Sequence, residues 1–246
     1  MTLKAILFDI NGTLVDIETD ENRSRLWEGL SWFLKYKGIY FEPENLKNVY
    51  YKKHEDVYRR SEEEHPETDV IIVWKEILTE YENKGLYDLR LDTESGDQLV
   101  KDVVQIFRSL SLRKLNLYKD VYETLTELRE NYKLGVVSNA QHCWTSPELK
   151  MLGIKFLFDS IVLSSDYGFC KPDPRLFRIV LDELSVTSDE AIFVGNDTHS
   201  DILGAKNTGL SSILHMTHQG EKDFKYACPD YKIDHFKELM YVINRF

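Results

Sequence analysis

Cysteine is scarce in this chain. The three present, Cys143, Cys170 and Cys228, are odd in number and far apart. That excludes a disulfide framework and a clustered-thiolate zinc motif, and a reducing, cytoplasmic home is expected. Apolar runs are short, and none reaches the roughly 20 residues needed to span a bilayer. Positive charge is in deficit, with 31 Lys and Arg against 42 Asp and Glu. A general binder of nucleic acid or of a membrane surface is therefore not expected, because both need basic patches. A local basic site for a small anionic substrate is still allowed. The N-terminal "MTLKAILFDI" has one lysine and no small-residue cleavage site, so no signal peptide is expected. Internal repeats and low-complexity tracts are missing too, and composition leaves the oligomeric state open.

What is present suits a soluble globular protein: 246 residues, 42% hydrophobic and 30% charged, enough for one large domain or two smaller ones. "LKAILFD" (3–9) predicts a short buried strand. From about residue 20 to 112 the pattern turns helical, without strand-like alternation. "DENRSRLWEGLSWFLKYKG" places Leu26, Leu30, Phe33 and Leu34 at helical spacing with Gly38 beyond. "PENLKNVYYKKHEDVYRR" opens on Pro43 at a first helical position. "TDVIIVWKEILTEYENKG", closing on Gly85, and "SGDQLVKDVVQIFRSL" continue the block. After residue 115, strands alternate with helices. "DVYETLTELRENY", "SPELKMLG" (with a serine cap), "DPRLFRIVLDELS", "HSDILGAKNTG" and "DHFKELMYVINRF" read as helices. "KLGVVSNA", "FDSIVLSSD", "EAIFVGND" and "SSILHM" read as strands. This alternation is the mark of a doubly wound parallel sheet, α/β in class. The expected division is a core of residues 1–16 and 115–246, interrupted by an all-helical domain at 17–114.

In an open α/β sheet, ligands bind beyond the carboxyl ends of the strands. Four polar clusters fall at such ends: Asp9-Ile10-Asn11, Ser138-Asn139, Lys171 in "YGFCKPDP", and Asn196-Asp197 with Asp201. Singly, each is more often an ordinary turn or helix entry than a site. Their order and placement together resemble the haloacid dehalogenase (HAD) superfamily, most of whose members are magnesium-dependent phosphatases. The resemblance covers residues 3–16 and about 115–235, through "AILFDINGTLVD", "LYKDVYETLTELRENYKLGVVSNA", "FCKPDPRLFRIVLDEL", "VGNDTHSDILGAKNTG" and "PDYKIDHFKEL". It implies a Rossmann-like core, and the helical insertion sits where that family carries a cap domain.

The resemblance implies roles that chemistry supports. Asp9 would be the nucleophile, attacking phosphorus to give an aspartyl-phosphate. Its repulsion from phosphate calls for cations: Mg²⁺, with Asp9, Asn11, Asn196, Asp197 and Asp201 as candidate ligands, and Lys171. Ser138 and the backbone amide of Asn139 would donate to phosphoryl oxygens, and Thr13 would fix the loop.

Two positions depart from the phosphatase pattern. Asn11 stands where an aspartate serves as general acid and base, a loss that typically costs a factor of about 10²–10⁴. Asn196 replaces the first acid of the fourth motif, which implies weaker metal binding unless Asp197 turns inward; Asp201 is expected to orient Lys171 or to bind metal through water. Three readings follow. The first is a magnesium-dependent phosphomonoesterase of lowered or specialised activity. The second is a metal-free hydrolase similar to the 2-haloacid dehalogenases. The third is a binding protein that kept the pocket and lost the chemistry. Asn196 favours a natural pattern over an engineered change at Asn11, and Asn11-Gly12 is also a pair prone to deamidation.

Other features weigh less. His215 and His218 of "HMTH" read as a solvated loop, and Cys170 as a packed small residue. Trp27, Trp32, Tyr50, Tyr51 and Trp74 read mostly as core by spacing. Arg59, Arg60, Arg23 and Arg25 read as solvated faces, with Arg23 or Arg25 able to face the pocket.

Overall fold

Ala-Ile-Leu-Phe, the four residues of strand β1 (Ala5–Phe8), are all buried. The computed structural model in which they lie describes residues 2–82, 91 and 93–246. After β1 come β2 (Val15–Thr19) and four helices, α1 (Ser24–Tyr36), α2 (Pro43–Arg60), α3 (Val70–Glu82) and α4 (Glu94–Ser111). Strand β3 (Leu112–Leu117) leads back to α5 (Val121–Leu128), β4 (Lys133–Ser138), α6 (His142–Met151) and β5 (Ser160–Leu163). Then follow α7 (Pro174–Leu184), β6 (Ala191–Gly195), α8 (Leu203–Asn207), β7 (Ser211–His215), β8 (Tyr231–Ile233) and α9 (Leu239–Val242). The chain divides into two compact units, Met1–Ile17 with Leu115–Phe246, and Glu18–Lys114.

In the first unit six strands form one sheet in the order β5-β4-β1-β6-β7-β8, with every pairing parallel. Parallel strands covered on both faces must be apolar along their length, and the side chains split by parity. Ile6 and Phe8 of β1, Leu134 and Val136 of β4, and Ile192 and Val194 of β6 join one core with Val121, Leu125 and Phe236. Ala5 and Leu7, Val137, and Ala191 and Phe193 join the other with Leu176, Phe177 and Val180 of α7. Strand order reverses around β1, so the carboxyl ends of β1, β4 and β6 meet at a topological switch point. This is the HAD-like α/β fold, with α1–α4 as its helical insertion.

In the second unit α1 through α4 surround an aromatic core. Trp27, Tyr50, Trp74 and Phe107 are buried, and the Tyr50 ring lies 5.2 Å from Trp74 and 4.9 Å from Phe107. Trp32 and Tyr51, read as core from spacing, are instead 67% and 38% exposed. The helical period assigns a face but not how wide the covered stripe is.

Several local expectations change. The insertion has flanking strands after all: β2 and β3 form a two-stranded ribbon, each half-exposed. The helix expected to start at the Ser146 cap begins a turn earlier, at His142, with Pro147 inside it. Buried Trp144 and Thr145, both bonded to the Gln141 carbonyl, draw that extra turn in. The helix expected over "HSDILGAKNTG" starts with a wide turn at Thr198–Ile202 before α8. The closing helix is reduced to the four residues of α9 between two tight turns, and β8 precedes it. The Gly85 helix stop lies outside the described residues.

Candidate active site

Asp9 follows β1 directly and is buried, 5% exposed as a residue. The loop after it folds on itself, with Thr13, Leu14 and Val15 all donating their N–H groups to the Ile10 carbonyl. Gly12 makes this turn possible at φ +84°, and a Cβ there would sit 2.3 Å from Asn196 Nδ2. Asn11-Gly12 is thus no hairpin: β1 pairs with β4 and β6, and not with β2.

Three side chains converge on Asp9. Ser138 Oγ, at the end of β4, donates to Oδ1 at 2.9 Å, and Lys171 Nζ donates to the same oxygen at 2.7 Å. Thr13 Oγ1 lies 3.1 Å from Asp9 Oδ2 and 2.9 Å from Asn196 Oδ1, its one proton serving one acceptor at a time. Oδ1 therefore carries two donors and Oδ2 at most one.

Lys171 spends all three ammonium protons, on Asp9, on Asp201 Oδ1 at 2.6 Å and on the Val137 carbonyl at 2.9 Å. Burial alone would loosen its proton. The Asp201 and Asp9 carboxylates outweigh burial and hold it above the usual lysine range. Burial pushes the Asp201 carboxyl up to about 6, with Lys171 opposing and Asp9 adding to the push. At neutral pH the pair stands as ammonium and carboxylate, because the Asn196 and Asp197 N–H groups also donate to Asp201 Oδ2 at 2.9 and 3.0 Å. Asn139 acts through its side chain, its Oδ1 accepting from Lys171 N at 2.7 Å and its Nδ2 donating to Lys171 O at 3.2 Å. Downstream, Asp173 caps α7 and fixes the other end of the lysine loop.

Asp197 does not turn inward as a spare ligand. Its Oδ1 accepts from His199 N and Ser200 N, and its Oδ2 from Glu221 N. Burial raises this carboxyl, but the backbone donors outweigh it and leave the group below its usual range. Asp9, Asn11, Asn139, Lys171, Asn196, Asp197 and Asp201 all line one cleft of about 180 Å³, together with Ser200, Gln219 and Gly220. Thr13 and Ser138 stand behind it as buried supports.

Residues 6–215 match the haloacid dehalogenase-like hydrolase family. The chain belongs to it. It is 31% identical over 159 residues to pyrophosphatase PpaX of Bacillus velezensis, covering 61% of this chain and 73% of that one. It is 26% identical over 260 residues to the glyceraldehyde 3-phosphate phosphatase of Methanopyrus kandleri, covering 98% and 97%. Among solved structures, a 2-haloacid dehalogenase from Pseudomonas syringae pv. Tomato DC3000 superposes with a TM-score of 0.69 over 99% of both chains, at 21% identity. That last likeness concerns the fold.

Within this HAD hydrolase, magnesium was expected, and the donors decide how it would be held. Among the described residues no group of three His, Cys, Asp or Glu side chains is placed to hold a metal. Asp201 is engaged with Lys171, one of the two roles expected of it, and Asp197 with its own loop. Asp9 with the neutral oxygens of Asn11 and Asn196 offers a further set on the same cleft. Mg²⁺ commonly takes one or two carboxylates and completes its shell with water and substrate phosphate. This set, with one carboxylate, is of the kind such an ion takes.

The loop after β7, which reads from sequence as solvated, is built into the site. His215 is no solvated loop residue: it ends β7, is 3% exposed, and its Nδ1 donates to the Thr13 carbonyl at 3.0 Å. Burial holds its imidazole below the usual range, the Thr13 bond opposing. Thr217 Oγ1 donates to Gly12 O at 2.7 Å, and Gln219 Nε2 to Ile17 O at 2.6 Å. The only available signal was position, since the loop leaves a strand at the carboxyl edge.

Proposed function

We propose that this HAD hydrolase is a phosphomonoesterase acting on a small phosphorylated molecule through a covalent intermediate on Asp9. The observation that carries this reading is the convergence of Ser138, Lys171 and Thr13 on one buried carboxylate at the floor of a polar cleft. Lys171 and Ser138 orient Oδ1 and leave Oδ2 with lone pairs for attack. A bond forms from Asp9 oxygen to phosphorus while the bond from phosphorus to the leaving oxygen breaks. Water then attacks phosphorus, orthophosphate departs, and Asp9 is regenerated. Bound magnesium, on Asp9, Asn11 and Asn196, would offset charge on the phosphoryl oxygens.

Asn11 shapes the substrate range. An amide can hydrogen-bond the leaving oxygen but cannot protonate it, so the leaving group must depart as an anion or take its proton from water. Acyl phosphates and aryl phosphates tolerate this far better than alkyl phosphates. The two curated relatives named above carry phosphatase and pyrophosphatase names, and both support phosphoryl transfer over attack at carbon.

The test is a panel of acyl, aryl and alkyl phosphates and 2-chloro acids, with and without Mg²⁺. Phosphate release is expected to be fastest from acyl and aryl phosphates and to fall on the order of 10⁴-fold or more in Asp9→Asn. Metal-free chloride release from the chloro acids would overturn this reading.

A further inference from the structure

One lysine lines the cleft and a second bonds to residues that line it, and the two are provided for very differently. Lys171 is matched by two carboxylates. Lys222 is half-buried, and among the described residues it forms no ion pair: its Nζ donates to two main-chain carbonyls, Asn196 O and Gln219 O. Asn196 and Gln219 both line the cleft that contains Asp9. Burial loosens the Lys222 proton and the Asp197, Asp201 and Glu221 carboxylates oppose that loss, yet none of the three is in ion-pair contact with it, and a partly desolvated charge acts over a longer range than one in bulk water.

Its position is built by the surrounding loop. Gly220 lies at φ +79°, and a Cβ there would stand 2.5 Å from Asn196 Nδ2 and 2.6 Å from Asn196 O. Only a glycine allows the chain so near to Asn196, and Lys222 follows two residues later. Thr198 holds the far side, its N–H donating to Glu221 O at 2.9 Å and its hydroxyl lying 3.0 Å from Asp223 O. Glu221 N closes the strap on Asp197 Oδ2 at 2.8 Å. Asn196 is thereby clasped between Gly12 on one side and Gly220 with Lys222 on the other.

We propose that Lys222 is a resident cation of this site, supplying positive charge that lets a phosphate-class dianion bind without a divalent ion. The proposal rests on the reading of the cleft as a phosphoryl site. It assigns a role to the neutral residue at 196: with an amide there, no further carboxylate joins Asp197, Asp201 and Glu221 in opposing the ammonium on the Asn196 carbonyl. Lys222 is a positioning residue in this account, acting through the field it places on the cleft and through the Asn196 main chain.

The experiment is calorimetric titration of inorganic phosphate into the full chain, in EDTA and again in Mg²⁺. Wild type, Lys222→Gln and Lys222→Arg are compared, with melting temperature checked for each. Glutamine keeps two N–H donors for the two carbonyls and removes only the charge. Lys222→Gln is expected to weaken metal-free phosphate binding about tenfold, corresponding to about 1.4 kcal/mol. Lys222→Arg is expected to stay near wild type, and Mg²⁺ to shrink the glutamine defect. Equal metal-free affinity in wild type and Lys222→Gln overturns the role of Lys222 and leaves the phosphoryl site standing. Wild-type binding that requires Mg²⁺ does the same, whether or not the variants fold. Absence of phosphate binding in both buffers overturns the phosphoryl reading as well.

Discussion

At the scale of single residues, Asn11 and Lys171 are the positions on which the proposed chemistry turns. Asn11 lines the cleft beside Asp9 and lacks a transferable proton. Restoring one with Asn11→Asp is expected to raise kcat on an alkyl phosphate by about 10²-fold or more. The same change is expected to leave an acyl phosphate nearly unaffected, and steady-state rates on the two substrates check the contrast. Lys171 is 4% exposed and stands between two buried carboxylates. Lys171→Met removes the cation and strands them, at a cost of about 3–5 kcal/mol. The pH dependence has a definite sign. The Asp201 carboxyl already titrates at about 6 in the folded protein, against 3.8 ordinarily. A group raised in this way keeps its proton longer when folded, so its contribution to stability falls as pH rises through that window. Without the ammonium the carboxyl moves higher still. The variant's deficit, measured by denaturant titration, is therefore expected to be larger at pH ~8 than at pH ~5, and an equal deficit at both would contradict this pairing.

At the scale of elements, the strand ends deliver the groups and the loops between them hold the geometry. The turn after β1 depends on Gly12, whose φ of +84° and 2.3 Å clearance from Asn196 leave no room for a side chain. Gly12→Ala is expected to cost at least about 1–2 kcal/mol from the left-handed backbone alone. It is also expected to push the Asn196 loop outward and so weaken phosphate binding, which thermal melts and phosphate titration together would register. A melt unchanged within error would mean that the turn is softer than its hydrogen bonds imply. The β7–β8 connection binds the first and fourth strand-end loops to each other through His215, Thr217 and Glu221. A local signal for this is nearly absent: "HMTHQGEK" is polar, carries no periodicity, and reads as solvated surface.

For the whole molecule, the separate cores of the two units make the relevant prediction. The helical unit packs around Trp27, Tyr50, Trp74 and Phe107, with the Trp27 and Phe107 rings 5.7 Å apart. The α/β unit packs around its sheet. Trp74→Ala is expected to cost about 3–5 kcal/mol, confined to the helical unit. Scanning calorimetry would then show an early transition, followed by Trp27 fluorescence, ahead of unfolding of the sheet. One peak shifted as a whole would show the two cores melting together.

The sequence by itself determined the class of fold and which polar groups stand at the strand ends. Buried parallel strands demand apolar runs, helices demand their own period, and the carboxyl ends of such strands collect polar residues. Asp9, Ser138, Lys171 and Asn196 were therefore legible from position. Their partners were not, because those depend on distance in space rather than along the chain. Thr13 meets Asn196 across 183 residues, and Lys171 meets Asp9 across 162. Closing the sheet decided that Asp201 serves Lys171, that Asp197 caps its own loop, that His215 is buried, and that Lys222 bonds to main-chain carbonyls. Periodicity records which face is buried, whereas only packing chooses what each buried polar group will bond.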